Sequence, residues 1–348
     1  NQLFINQGID EDGIPKFKEM AKEYGLDAVG TFSTQAYLLD YDQDGDLDLF
    51  LLNHANTFRS NILNIKDLRT KRHPYFGNKL YENRDDFFID ISENSGISGS
   101  EINFGLSAAV SDLNNDGYPD IFVTNDYSEQ DFCYINQKNG TFKDISHTAF
   151  GHFSKFSMGS DIADLNNDLR PDIFVVDMLP EDNYRQKSLK GPDAFNRERM
   201  LVDSGYHRQY MRNTLHLNRG FKPDTTLVFS EIAQISGISN TDWSWAPLLA
   251  DYDNDGLKDI FITNGYLRDY SNLDFNNYTV YEALDEARAK GEELDLGLLI
   301  SKIPATKTPN YSFKNLGDLR FESTSATWGL DKKQVSNAAA YADFDNDG

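Results

Sequence analysis

The sequence is short of cysteine and of basic residues, and each shortage excludes something. One cysteine, Cys133, in 348 residues rules out an internal disulfide framework and any multi-cysteine metal site. Lys and Arg number 33 against 56 Asp and Glu, a net charge of −23. A phosphate backbone would find no basic footprint, so nucleic acid is excluded as the main partner. No run approaches about 18 consecutive apolar residues, so no helix is built to cross a membrane. The chain shows no initiator Met, signal peptide or lipidation motif. It also lacks a Gly-x-Ser-x-Gly elbow, a His-Glu-x-x-His pair, a P-loop and a dinucleotide fingerprint. His54, His73, His147, His152, His207 and His216 fall at no metal-ligand spacing on a predicted helix. What is present is aromatic: 24 Phe and 18 Tyr within a hydrophobic fraction of 39%, enough for a sizeable core and too much for general disorder.

One element recurs five times: DYDQDGDLD from Asp40, DLNNDGYPD from Asp112, DLNNDLRPD from Asp164, DYDNDGLKD from Asp251 and DFDNDG from Asp343. Their first residues are 72, 52, 87 and 92 positions apart, so the shortest spacing approximates the bare repeat and the others carry insertions. A run of small and apolar residues precedes each copy, at 36–39, 107–110, 159–163, 246–250 and 338–342. A β-rich run follows the four complete copies, at 49–52, 121–124, 173–176 and 260–263. Then come an apolar segment ending in Asn (Asn6, Asn83, Asn136, Asn218 or Asn315) and, usually, Phe with an acid. Four short strands a to d per unit, with turn residues between them, predict an all-β fold built of four-stranded propeller blades. In this register, residues 1–20 supply strands c and d of an earlier blade, and residues 336–348 supply strand a and half a loop. The expectation is a single, incomplete β-propeller domain over 1–348, a fragment of a larger chain.

Asp at positions 1, 3, 5 and 9 of a tight loop aims several hard oxygens at one point. That suits calcium, which takes 6–8 oxygens in flexible geometry; magnesium demands stricter octahedral order. Asn at position 3 offers a carbonyl, position 7 would offer its backbone carbonyl, and Gly at position 6 permits positive φ. An EF-hand is excluded, because position 12 is Leu51, Val123, Val175 and Ile262 in place of Glu. A thrombospondin-type array is excluded by the lack of cysteine. Such clusters also make ordinary turns, but five in one strand context argue for metal. The loops hold 18 acidic residues, and without them the net charge of −23 would be −5. The third copy departs from the pattern, with Leu169 at the glycine position.

The loop followed by "DIFVTN" resembles the FG-GAP/VCBS repeat, also found in integrin α-subunit propellers. The segments "NQLFINQG", "FSMGSDIADLNND", "VVDMLPED" and "TDWSWAPLLADYDNDGLKDIFITNG" are similar to VCBS-repeat proteins of Bacteroidetes-type bacteria. Those are related to cartilage acidic protein and to proteins with an ASPIC/UnbV domain, which is itself absent here. The resemblance covers essentially the whole chain. It implies a bacterial calcium-binding propeller that is secreted or anchored at the outer membrane or cell surface, with about one ion per loop, four to five in all. By resemblance the ligands are Asp40, Asp42, Asp44 and Asp48; Asp112, Asn114, Asp116 and Asp120; Asp164, Asn166, Asp168 and Asp172; and Asp251, Asp253, Asp255 and Asp259. The position-7 residues Asp46, Tyr118, Arg170 and Leu257 would add carbonyls, and the last copy offers Asp343, Asp345 and Asp347.

Three insertions, at 54–78, 178–212 and 265–309, all fall between strands b and c. They should crowd one face, opposite the acidic loops, and insertions on one face often mark the binding side. Residues 54–78 carry a net charge of +4 and residues 178–212 a net of +2, basic islands in an acidic chain. They fit either pairing with acidic neighbours or recognition of an anionic glycan, phosphate or carboxylate. Arg197, Arg199, Arg208 and Arg212 are the candidate ligand-binding residues. The third insertion reads as a helix over 279–290, with Tyr281, Leu284 and Ala287 at helical spacing and Gly291 as its stop, then a second short helix over 296–303. It is expected to pack on the propeller. Trp243, where earlier copies have Phe32, Phe104 and Phe156, reads with Trp245 as inter-blade core, with sugar stacking as the alternative. Cys133 lies within strand c and reads as buried. The functional expectation is a calcium-stabilised module binding an acidic glycan or a surface protein. A polysaccharide-active enzyme and a structural spacer in a large surface protein remain the alternatives.

Overall fold

A computed structural model describes residues 1–56, 65–189, 191 and 195–343, without the side chains of Ile65 and Lys66. Arg59, Lys190, Asp193, Asp345 and Asp347 lie outside the described residues. Four antiparallel four-stranded meanders follow one another along the chain. The first runs Ser33–Leu39, Asp48–Asn53, Lys79–Arg84, Phe87–Asp90, and the second Gly105–Ser111, Asp120–Asn125, Phe132–Asn136, Phe142–Asp144. The third runs Gly159–Ala163, Asp172–Val176, Thr214–Phe221, Leu227–Glu231, and the fourth Ser244–Ala250, Asp259–Asn264, Tyr311–Asn315, Phe321–Ser323. Phe4–Ile9 pairs with Pro15–Glu19 ahead of them, in the order expected of strands c and d.

Strand b of each meander is buried almost end to end. Its side chains alternate between faces, and both faces are covered. Phe50 and Leu52 enter the core shared with the second sheet, while Leu49 and Leu51 pack toward Ala21 and Leu26. Ile121 and Val123 face back to the first sheet; Phe122 turns forward to Ile173 and Val175 of the third. Phe174 and Val176 then meet Ile260 and Ile262 of the fourth. A strand sandwiched this way reads as a continuous apolar run, which is why "DIFVTN" and its equivalents show no alternation. Cys133 is among these residues, fully buried, and burial pushes its thiol well up. Strand a of each sheet packs against strand a of the next.

Polar residues lock the stack. The Asn that ends strand c donates from Nδ2 to a loop carbonyl of the preceding sheet: Asn136 to Tyr41 (2.7 Å), Asn218 to Leu113 (2.9 Å) and Asn315 to Leu165 (2.8 Å). On the opposite end, the residue that closes strand b, or in the third sheet the one after it, donates its amide to the side chain of the residue before strand c: Asn53 to Asn78, Asn125 to Asp131, Asp177 to Asn213 and Asn264 to Asn310. Gly96, in the turn after the first sheet, must be glycine: φ is +81°, and a Cβ would stand 2.1 Å from the Phe142 carbonyl oxygen.

The b–c insertions are helical to differing degrees, with Ile65–Arg69 in the first and Asn183–Leu189 and Phe195–Asp203 in the second. In the third, a π-turn at Phe275–Thr279 leads into Val280–Lys290, stopped by Gly291 in left-handed geometry, and Leu296–Ser301 follows. This insertion builds a small core of its own from Phe275, Leu299 and Ile303, and helix Val280–Lys290 buries no residue. No described helix is long and apolar enough to cross a membrane. The strand expected at 338–342 does not form. Ser336 donates to Asn264 and Thr308 bridges Gln334, but no described strand takes up residues 338–343, and an extended segment stays a strand only when a neighbour accepts its hydrogen bonds.

Replacing a latch should loosen the whole stack. Asn218→Ala strands the Leu113 and Pro171 carbonyls and the Gly220 amide. A loss of about 2–3 kcal/mol is expected, read as a lower urea midpoint at unchanged slope.

Candidate metal centre

Each acidic loop links strands a and b and is wired by its own side chains. The position-1 carboxylate accepts the amides of positions 5 and 6 in three loops: Asp112 from Asp116 and Gly117, Asp164 from Asp168 and Leu169, Asp251 from Asp255 and Gly256. Position 5 accepts the amide of position 7, where Asp46, Tyr118, Arg170 and Leu257 stand. Position 9 is buried in every loop. One of its oxygens takes the position-2 amide and the other takes the amide of the strand-c Asn: Asp48 from Tyr41 and Asn83, Asp120 from Leu113 and Asn136. Asp172 and Asp259 do the same.

Positions 4 and 6 hold positive φ. Leu169 adopts φ +66° with its side chain 81% exposed, so the third loop keeps the common turn at a cost of roughly 1–2 kcal/mol in backbone strain. Position 4 links neighbouring loops. Asn115 donates to the Leu169 carbonyl at 2.8 Å, Asn167 to that of Gly256 at 3.0 Å, and Gln43 to that of Gly117. The first four loops are therefore joined edge to edge.

The loops differ in how their carboxylates converge. Oxygens of Asp40, Asp42 and Asp48 lie within 4.8 Å of one another, as do those of Asp251, Asp253 and Asp259. These are positions 1, 3 and 9; Asp44 and Asp255 at position 5 stand outside the groups. In the second and third loops position 3 is Asn114 or Asn166, whose Nδ2 donates to Asp116 or Asp168. Three loops also carry a basic side chain at position 5. Lys138 lies 3.3 Å from Asp116, Arg170 pairs with Asp168, and Lys314 bridges Asp253 and Asp255. In the first loop the residue aligned with Lys314 is Glu82, paired instead with Arg84. Its negative charge adds to burial and Asp44 in raising the Asp42 pKa.

The donor set suits a hard, oxygen-seeking cation such as calcium. The observation that bears on fit is again in the first loop, where Asp40 Oδ1 and Asp46 Oδ1 are buried with no hydrogen-bond donor. A buried carboxylate oxygen without a partner is costly, and a cation would supply one. Asp343 is exposed and belongs to neither group.

Arg212 pairs with the buried Glu231 and contacts His152, and Arg199 faces Asp203 one turn on. Arg197 and Arg208 are exposed. Other arginines of the insertions act as tethers. Arg69 grips the buried Glu129, Arg72 donates to the carbonyls of Asn78, Ser92 and Ile97, and Arg185 pairs with Asp242. Trp243 and Trp245 pack against the core between the third and fourth sheets. The amide links at position 4 and the b–c clasp were not foreseen from the sequence, although Gln or Asn at position 4 recurs in every loop and could have signalled the first.

Burial pushes the carboxyls of Asp48, Asp120 and Asp172 up to about 7, against the amides that hold them down. Without metal, the folded protein therefore keeps protons that the unfolded chain has released, so these groups favour folding as pH falls from 8 through 7. Below about 6.5 His147, His207 and the buried His216, whose pKa values desolvation lowers, act in the opposite sense, because the unfolded chain protonates them more readily. In chelator the melting temperature should rise between pH 8 and 6.5 and then level off as the two sets of groups offset each other, as scanning calorimetry would record.

A family model described as FG-GAP-like repeat matches residues 40–123 and 112–175, which span the first three acidic loops. This stretch, under half of the chain, is similar to FG-GAP-like repeats. No curated protein matches the sequence. Among solved structures, an Agrocybe aegerita lectin described as recognising non-reducing terminal N-acetylglucosamine aligns at 14% identity with a TM-score of 0.33. The alignment covers 83% of this chain and 64% of that one, so the chain spans just under two thirds of the lectin's length.

Proposed function

We propose that this chain is an extracellular calcium-binding module whose four-stranded sheets are blades of a β-propeller, and that it binds a glycan or a protein without turning it over. The observation that carries the reading is the convergence of Asp40, Asp42 and Asp48 within 4.8 Å, repeated by Asp251, Asp253 and Asp259, in loops of one design. The unpaired oxygens of Asp40 and Asp46 make the first loop the strongest site. Calcium there would be held by the side chains of positions 1, 3 and 9 and the carbonyl of position 7. Its charge would offset the mutual repulsion of these carboxylates. In the fourth loop the Lys314 ammonium must yield its place. The second and third loops, with one fewer carboxylate and a basic partner each, bind more weakly. The kinship with secreted Bacteroidetes-type ASPIC/UnbV-related proteins is part of the proposal and rests on the four quoted segments.

Thermal unfolding in millimolar calcium and then in chelator tests the metal reading. A calcium-dependent rise in melting temperature of several degrees is expected, because the ion binds only the folded loops. Equal melting in both buffers would reduce the loops to turns. Lys314→Met should raise calcium affinity at the fourth loop severalfold by removing the competing cation, whereas Arg84→Met, paired with Glu82 beside the first loop, should leave the fourth unchanged. Isothermal titration would read both.

A further inference from the structure

On the insertion face, away from the acidic loops, a row of aromatic rings leads to polar atoms that have no partner. Tyr270 is 56% exposed and stacks on the buried Tyr266, with centroids 6.3 Å apart. Tyr266 in turn lies 4.0 Å from the half-buried Trp243. The indole Nε1 of Trp243 is buried without an acceptor, and Asp269 Oδ1 is buried without a donor, in a residue only 2% exposed. Arg185 stands between the two segments. Its Nε bonds Asp242, the residue before Trp243, at 2.6 Å, and its Nη1 lies 3.7 Å from Asp269. The other Asp269 oxygen is satisfied by the Thr306 hydroxyl.

The chemistry narrows what would complete this cluster. One guanidinium faces two carboxylates, so the local charge is −1 and an anionic group is disfavoured. A metal or ammonium ion would answer Asp269 but would repel the indole N–H, which needs an acceptor. A hydroxyl-rich ligand meets both needs, since one hydroxyl can donate to the carboxylate and the same or another can accept from the indole. The rings beside these atoms offer flat apolar faces, the surface that the C–H face of a sugar ring covers.

We propose that Trp243, Asp269 and the Tyr266–Tyr270 pair form a binding site for a neutral, hydroxyl-rich sugar. This deepens the binding-module reading and rests on its glycan branch, while the site itself needs none of the acidic loops. It uses none of Arg197, Arg199, Arg208 and Arg212.

The test is binding of the whole chain, in calcium buffer, to an array of neutral hexose and pentose oligosaccharides. Wild type, Trp243→Phe and Asp269→Asn would be compared, with melting temperatures measured alongside. Trp243→Phe keeps a ring and removes only the N–H donor and some area, so it preserves the fold if Asp269→Asn does not. The expected result is binding of at least one neutral glycan by the wild type, weakened roughly tenfold or more in each folded variant. Wild-type binding undiminished in Trp243→Phe would overturn the site and leave the glycan-binding reading standing. So would a lowered melting temperature with unchanged binding, the mark of an ordered water bridging these atoms. A wild type that binds no glycan on the array would overturn the site and the glycan branch together, leaving calcium-dependent melting as the independent measure of the metal reading.

Discussion

The buried aspartate that closes each acidic loop is the knot on which the rest depends. It lies in an apolar strand, where a lone carboxylate would be strongly disfavoured. It is tolerated because one oxygen takes an amide of its own loop and the other an amide of strand c, as Asp120 does from Leu113 and Asn136. The same strand-c Asn reaches across to the loop of the preceding sheet. Loop shape, sheet register and the stacking of one sheet on the next thus share a single set of hydrogen bonds. A cation held by that aspartate, as proposed, would act on all three and add its binding free energy to stability.

The two ends of the stack are built on opposite electrostatic plans. At the loop end, carboxylates are gathered and only partly offset by Lys138, Arg170 and Lys314, and the position-4 amides tie each loop to the next. At the insertion end, arginines are paired one by one with buried acids and carbonyls, as Arg69 is with Glu129 and Arg185 with Asp242. Desolvated pairs of this kind hold segments in place, which is how long insertions stay docked on sheets whose strands are only a few residues long. Other basic residues there, such as Lys71, Lys187, Arg197 and Arg208, stay exposed. The insertion end also presents aromatic and aliphatic side chains outward: Tyr270, Tyr278, Tyr281 and Leu267 are all more than half exposed.

The four loops resemble one another in sequence more than in chemistry. Leu169 shows that the turn tolerates a non-glycine residue when its side chain points to solvent, so the backbone design outlasts the residue best suited to it. Glu82 and Lys314 occupy matching places in the first and fourth sheets and give neighbouring carboxylates opposite surroundings. A repeat can therefore keep its fold while its sites diverge, because the fold depends on positions 1 and 9 and the charge balance on other residues, Glu82, Lys138, Arg170 and Lys314.

By itself the sequence determined what local rules decide: four strands per unit, the acidic loop between the first two, insertions confined to the b–c connection, and a helix ended by Gly291. Alternation, turn residues and capping act over a few neighbours, so they are legible in one chain read in order. Only the tertiary structure decided which oxygens converge and which cations reach them. Asp253 meets Lys314 across 61 residues and Asn115 meets Leu169 across 54. It also withheld the strand expected at 338–342 and paired Arg212 with Glu231, while Arg197 and Arg208 stay exposed. These outcomes depend on side chains from different repeats meeting in a packed, poorly solvated space, where a hydrogen-bond partner is decided by geometry that no short stretch of sequence contains.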